Sequence, residues 1–317
     1  MTPKNLDAIA TRAFAIVAGL GGVALLVISY RRQRTTEEGE QREVSKLFTD
    51  TFDSASDKLG SEHAAVRLAG VHALARLADE APINRDDLVQ MVIDVLCAYL
   101  RMPYTPAPEP LPDDATIEQA QTHHERELEF ASLREVRHTI IRIIGNHLRE
   151  DTRWRGKNYD FTGTVFDGGD LSGAHFTGGQ VSFRRAHFDA HVSFRQAIFT
   201  GGHVDFDEAH FIGNVSFLGA HFTGNVSFLG AHFTGGYVDF LSAHFTGEHV
   251  NFADAHFTSE HVNIVDAHFT IEGNEVVNFS SASGTCPKGL LQATKEGDLG
   301  AIVLPKQWQP TADENDG

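Results

Sequence analysis

Residues 209–236 read AHFIGNVSFLGAHFTGNVSFLGAHFTGG, one phrase set out three times. Phe211, Phe217, Phe222, Phe228 and Phe233 recur at steps of six, five, six and five. A step of five drifts too far around a 3.6-residue turn for a helix to keep these rings on one face. In a short strand, residues i−2 and i share a face. Ala-His-Phe and Val-Ser-Phe therefore each send a small and a large residue inward and the middle residue outward. The polar and Gly residues between units (T-G-G, T-G-N, L-G) supply corners, where positive φ is often needed. A chain that turns after every short strand and stacks coil on coil is a β-solenoid filled with phenylalanine. This reading predicts Phe222 and Phe228 buried, with His221 and Ser227 exposed.

The pattern extends well beyond this stretch. Phe161, Phe166, Leu171 and Phe176 stand at steps of five, and longer steps alternate with fives from there to Phe257. The segment FTGTVFDGGDLSGAHF (161–176) and the A-H-F and V-S-F units after it resemble the pentapeptide-repeat family, over roughly residues 159–280. That family's consensus is A-(D/N)-L-x-x, with Leu or Phe at the centre. The resemblance implies a right-handed quadrilateral β-helix with four short faces per coil. Two departures stand out. Histidine replaces the usual Asp or Asn between Ala and Phe, and one or two extra residues follow each A-x-F. Two paired units then make a coil of about 23 residues whose alternate corners bulge.

The outward histidines are His175, His187, His210, His221, His232, His244, His256 and His268, with Ile198 taking one turn. On a two-unit coil, His175, His221, His244 and His268 share one face, and His187, His210, His232 and His256 the opposite one. Neighbours on a ladder would lie about 4.8 Å apart, the spacing of adjacent strands. Zinc wants four ligands, or three plus water, which a flat ladder supplies poorly. No acid, nucleophile or oxyanion donor converges on these rings. There is no G-x-S-x-G and no phosphate loop ending in G-K-[ST], and Ser182, Ser193, Ser216 and Ser227 read as polar surface. The expectation is a non-enzymatic protein with no catalytic, cofactor-binding or metal residues. A metal or pH sensor built on the His ladders is an alternative. Protonated imidazoles repel one another while nearby carboxylates attract them, so the sign of an acid response stays open.

Charge narrows the partners. A net charge of −17 excludes non-specific binding to nucleic-acid backbones. Between Gly201 and Pro287 stand ten acidic residues (Asp205, Asp207, Glu208, Asp239, Glu248, Asp254, Glu260, Asp266, Glu272, Glu275) and no Lys or Arg. An acidic rod suits a protein partner with a basic surface. Some pentapeptide-repeat proteins mimic DNA and bind DNA gyrase, and the resemblance makes that an alternative function.

Ahead of the repeats the composition differs. Ala13–Tyr30, AFAIVAGLGGVALLVISY, is free of charge, and as a helix would span about 27 Å. It predicts a single membrane span in an anchor of residues 1–34. Arg31, Arg32 and Arg34 place the repeat domain on the cytoplasmic side of the cell membrane. Residues 35–156 read as helical. SEHAAVRLAGVHALARLADE (61–80) sets Val66, Leu68, Val71, Leu74 and Leu77 on one face, with Ser61 as N-cap. NRDDLVQMVIDVLCAYLRM (84–102) is a second helix capped by Asn84, and prolines at 103, 106, 108, 110 and 112 make a linker over 103–112. A further helix starts near Thr116, and His123, His124 and His138 on it read as solvated. VRLAGVHALARLA (66–78) resembles a HEAT-type helical repeat. Cys97 and Cys286 match no paired or zinc spacing and read as free thiols. After the β-helix of 157–283, residues 284–317 read as a cap, with Leu290, Leu291, Ile302, Val303 and Trp308 covering the last rings and an acidic tail beyond. The expected fold class is α+β: an N-terminal transmembrane helix, a small helical region, then a right-handed β-helix. That layout resembles actinobacterial membrane-associated pentapeptide-repeat proteins.

Overall fold

The computed structural model describes residue 43 and residues 45–270, 276–296 and 302–309. The chain forms two compact units, residues 1–54 and 55–317. In the first, the described residues are helical. The second holds three long helices, Ala64–Asp79, Asp86–Arg101 and Ile117–Arg149, followed by a β-solenoid of the right-handed type, about six turns long.

The solenoid has four parallel sheets, here faces 1 to 4 in the order the chain visits them. Face 1 begins at Tyr159–Asp160, face 2 at Val165–Phe166, face 3 at Gly169–Asp170 and face 4 at His175–Thr177. Face 1 therefore lies opposite face 3, and face 2 opposite face 4. On face 1, Tyr159, Val181, Val204, Val226, Val250 and Val277 pair in register, at steps of 22, 23, 22, 24 and 27 residues. Register is fixed by burial, because a slip of one residue would turn every Phe outward.

Phenylalanine fills the interior. Phe183, Phe206, Phe228, Phe252 and Phe279 form one stack, with centroids 4.6 to 4.8 Å apart and rings within 4° of parallel. Rings of neighbouring stacks meet edge to face, as Phe217 does Phe228 at 6.2 Å and 90°. Each buried ring contributes about 1.5–3 kcal/mol through lost apolar surface, and each well-set aromatic pair about 0.5–1.5 kcal/mol more.

Two kinds of corner alternate. Between V-x-F and A-x-F the chain makes a tight β-turn, in which Ala186 N–H donates to the Phe183 carbonyl at 3.0 Å. Its third residue is left-handed: Gly219 and Gly230 adopt φ of 62° and 63°, and Arg185, Gln196, Glu208, Ser242, Asp254 and Asp266 adopt 53° to 56°. After A-x-F the corners are wider and glycines stack from coil to coil. A Cβ on Gly202 would run into the Gly179 carbonyl oxygen.

A stack of parallel strands leaves unpaired carbonyls at its first coil. Arginines of the helical region meet them. Arg101 donates to the Asp160 carbonyl at 2.8 Å, Arg137 to Val165 at 2.7 Å, and Arg149 to Asp170 and Ser172 at 2.9 and 2.7 Å. Trp154 and Tyr159 seal the apolar end, both buried. At the other end Leu290 and Trp308 are buried, Trp308 lying edge-on to Phe257 at 5.6 Å. Leu291 and Val303, expected in this cap, are exposed. Ile302 instead pairs with Val277 and extends face 1.

Several expectations for the helices are corrected. His63, not Ser61, holds the first cap position; Ser61 Oγ accepts from the His63 N–H at 3.2 Å. Arg85, not Asn84, precedes the second helix, whose first turn carries Asp86 and Asp87. Thr116 caps the third helix in a reciprocal box with Gln119, and that helix runs unbroken for 33 residues. Val71, Leu74 and Leu77 are buried as read, but Val66 is exposed. His138 is not merely solvated, since its Nε2 lies 3.0 Å from Asp167 Oδ1. His123 Nε2 likewise contacts the Glu109 carbonyl at 2.8 Å.

The membrane-spanning fold class and the single-pass localisation are also corrected. Among the described residues no helix is long and apolar enough to cross a bilayer. The longest, Ile117–Arg149, carries charges along its whole length, including Glu118, Arg126, Glu135 and Arg142. Ala13–Tyr30, on which the expectation rested, lies outside the described residues.

Candidate interaction surface

The four faces carry two chemistries, set by the middle residue of each unit. Faces 2 and 4 carry the histidines. On face 2, Val165, His187, His210, His232, His256 and Ser283 are register partners. On face 4 the order is His175, Ile198, His221, His244 and His268. Both ladders follow the spacing argument. Imidazole centroids lie 4.5, 4.7 and 4.8 Å apart along face 2 and 4.6 and 4.9 Å apart along the continuous part of face 4. Partial burial lowers the proton affinity of His210, His232 and His244, and neighbouring histidines lower it further. Among the described residues no three His, Cys, Asp or Glu side chains are grouped to hold a metal ion.

Faces 1 and 3 carry Ser, Asp and Asn, and here the sequence reading missed a role. On face 1 the outward row is Ser182, Asp205, Ser227, Asn251 and Asn278. Each takes a backbone N–H two residues on: Asp205 from Asp207 at 2.7 Å, Asn251 from Ala253 at 3.0 Å, Asn278 from Ser280 at 2.9 Å. These are side-chain turns that cap the tight corner. The signal was present, since turn-forming residues recur two positions before each corner. Ser227 is correspondingly not exposed. It points outward but is buried, as are Ser193 and Asn263. Ser227 Oγ also donates to Asp207 Oδ1.

Electrostatically the rod is lopsided. The first two coils hold Arg184, Arg185 and Arg195, whereas no cation follows between Gly201 and Pro287. Glu208 is bound by Arg185 at 2.7 Å and Arg184 at 3.0 Å, which hold its carboxyl down to about 2. Among the described residues Asp205, Asp207, Asp239, Glu248, Asp254, Glu260 and Asp266 make no ion pair. Burial raises the Asp205 carboxyl, against the Asp207 N–H that donates to it. Glu272 and Glu275 lie outside the described residues. Cys97 is unpaired and buried, its thiol pushed up to about 12 by desolvation, and Cys286 is unpaired and half-buried.

Residues 161–210, 197–241 and 217–268 match the family profile described as Pentapeptide repeats (9 copies). The match falls on the solenoid, and it is this region that is similar to the family. Such β-solenoids are in general non-catalytic interaction scaffolds. No curated protein and no solved structure matches the chain.

Proposed function

We propose that this protein is a non-enzymatic scaffold that presents its acidic β-helical rod to a protein partner with a basic surface. The helices Asp86–Arg101 and Ile117–Arg149 close the rod's first coil, the strands from Tyr159–Asp160 to Ser283–Gly284 form the rod, and Leu290 and Trp308 close its far end. One observation carries the reading. Among the described residues of the later coils, Glu248, Asp254, Glu260 and Asp266 are exposed and make no ion pair. A fixed array of one sign steers a partner of the other sign and fixes its register more than it adds raw affinity.

The test is capture of partners by the full chain, beside a variant carrying Asp239→Asn, Glu248→Gln, Asp254→Asn, Glu260→Gln and Asp266→Asn. Asn tolerates the left-handed corner at 254 and 266, so the fold is kept. Recovery of the same protein from low-salt extract with the wild type, and its loss with the variant, is the expected result. Equal recovery by both would sink the reading.

A further inference from the structure

We infer that the helical region contains a binding site for an amphipathic monocarboxylate, with the carboxylate on Arg137 and Ser56 and the apolar chain among the helices. A cavity of about 500 Å³ opens beside the helices Asp86–Arg101 and Ile117–Arg149 and the proline strap that joins them. That volume falls in the range of small-molecule sites. Its walls are apolar: Leu59, Val95, Met102, Phe130 and Leu133. Three arginines also line it, Arg67, Arg134 and Arg137, and no Asp or Glu does. In a chain with a net charge of −17, that excess of cations in an apolar pocket is unexpected.

Arg137 is the decisive residue. Its side chain is only 6% exposed, and it makes no ion pair among the described residues. Nη1 and Nη2 are committed to the carbonyls of Leu100 and Val165 at 2.9 and 2.7 Å. Nε, buried, has no hydrogen-bond partner. The nearest carboxylate, Asp167, is already taken by Arg134 at 3.0 Å, His138 at 3.0 Å and Tyr104 at 3.1 Å. Ser56 Oγ, on the same cavity wall, is a second buried polar atom without a partner. Native interiors rarely leave such groups unmet, and a buried guanidinium cannot escape by losing its proton. A ligand carboxylate satisfies both groups and supplies the missing counter-charge. The five apolar walls select an alkyl or aryl body over a small polar anion.

The test is calorimetric titration of the full chain with decanoate at pH 7.5, with decanol and acetate as controls. Saturable one-to-one binding of decanoate is expected, with decanol and acetate at least tenfold weaker. Arg137→Leu is a poor probe, because Arg137 also ties two carbonyls. Ser56→Ala and Arg67→Gln should each weaken decanoate several-fold, and Ala98→Phe, which fills the cavity, should abolish binding. No saturable binding overturns the proposal, as does decanol binding as tightly as decanoate. Unchanged binding by Ala98→Phe overturns it too, since the ligand would then sit elsewhere.

Discussion

The interior and the exterior of the solenoid are built from neighbouring residues with opposite obligations. His221 and Phe222 are adjacent, each stacks on its counterpart one coil away, and the separations are almost the same: 4.6 Å for His221 on His244 and 4.9 Å for Phe222 on Phe245. Phe222 is fully buried, whereas the outward histidine keeps one side in water. Repetition alone therefore says nothing about which ladder holds the fold. Burial does. Phe222→Ala removes a ring from a stack with neighbours above and below, and should destabilise by about 3–5 kcal/mol. His221→Ala should stay within about 0.5 kcal/mol. Urea denaturation of the two variants tests the contrast; a larger loss from the histidine change would reverse the assignment.

The corners sharpen the same contrast between enforced and permitted residues. At Gly202, φ is +68° and the Gly179 carbonyl occupies the space a Cβ would need. At Gly219, φ is +62°, but a Cβ would meet only Gln196 Cγ, at an ordinary 3.6 Å. Gly219→Ala should cost only the left-handed conformation, about 1–2 kcal/mol. Gly202→Ala adds overpacking of about 1–3 kcal/mol to that. Thermal melts should therefore rank Gly202→Ala below Gly219→Ala. Equal melting temperatures would mean that the wide corners open more freely than their packing indicates.

Legibility in the sequence follows the same division. The inward set was readable because burial demands one residue type at a fixed step, and the His ladders followed from coil length by counting. The middle residues of the V-x-F units are harder to read because Ser193 and Ser227 look like surface side chains, and the turn geometry shows them buried and capping a corner. The arginine-lined cavity could not be read at all, since Arg67 and Arg137 lie 70 positions apart and converge only through helix packing. If corner capping is a real contribution, Asn251→Ala should cost about 1 kcal/mol, the usual worth of such a cap. Asn251→Ser should recover most of it, as Ser182 caps its own corner through the Arg184 N–H. A serine variant no better than alanine would remove the capping role.

The smallest expected effect is that of acid on the His ladders, and its sign follows from the burial of the rings. Burial and then the neighbouring imidazoles lower His210 and His244 from the ordinary 6.5, and burial followed by His256 does the same for His232. The opposing attractions, Asp189 on His210 and Glu208 on His232, are the smallest contributions at those sites. The unfolded chain therefore binds protons first as the pH falls, and stability rises with pH across that window. The ladders' contribution is complete above about 6.5 and declines below it, toward the lowered folded values. Glu208 does not mask this, since its carboxyl, held down to about 2, titrates far below it. Because these rings are mostly solvated, the change should be a modest fall in melting temperature between pH 7.5 and 5.5. His210→Asn with His232→Asn should shrink that fall, because the repelling pair on face 2 is gone. A melting temperature that rises on acidification would mean that the carboxylates dominate, and that the two outward chemistries of the rod are coupled rather than separate.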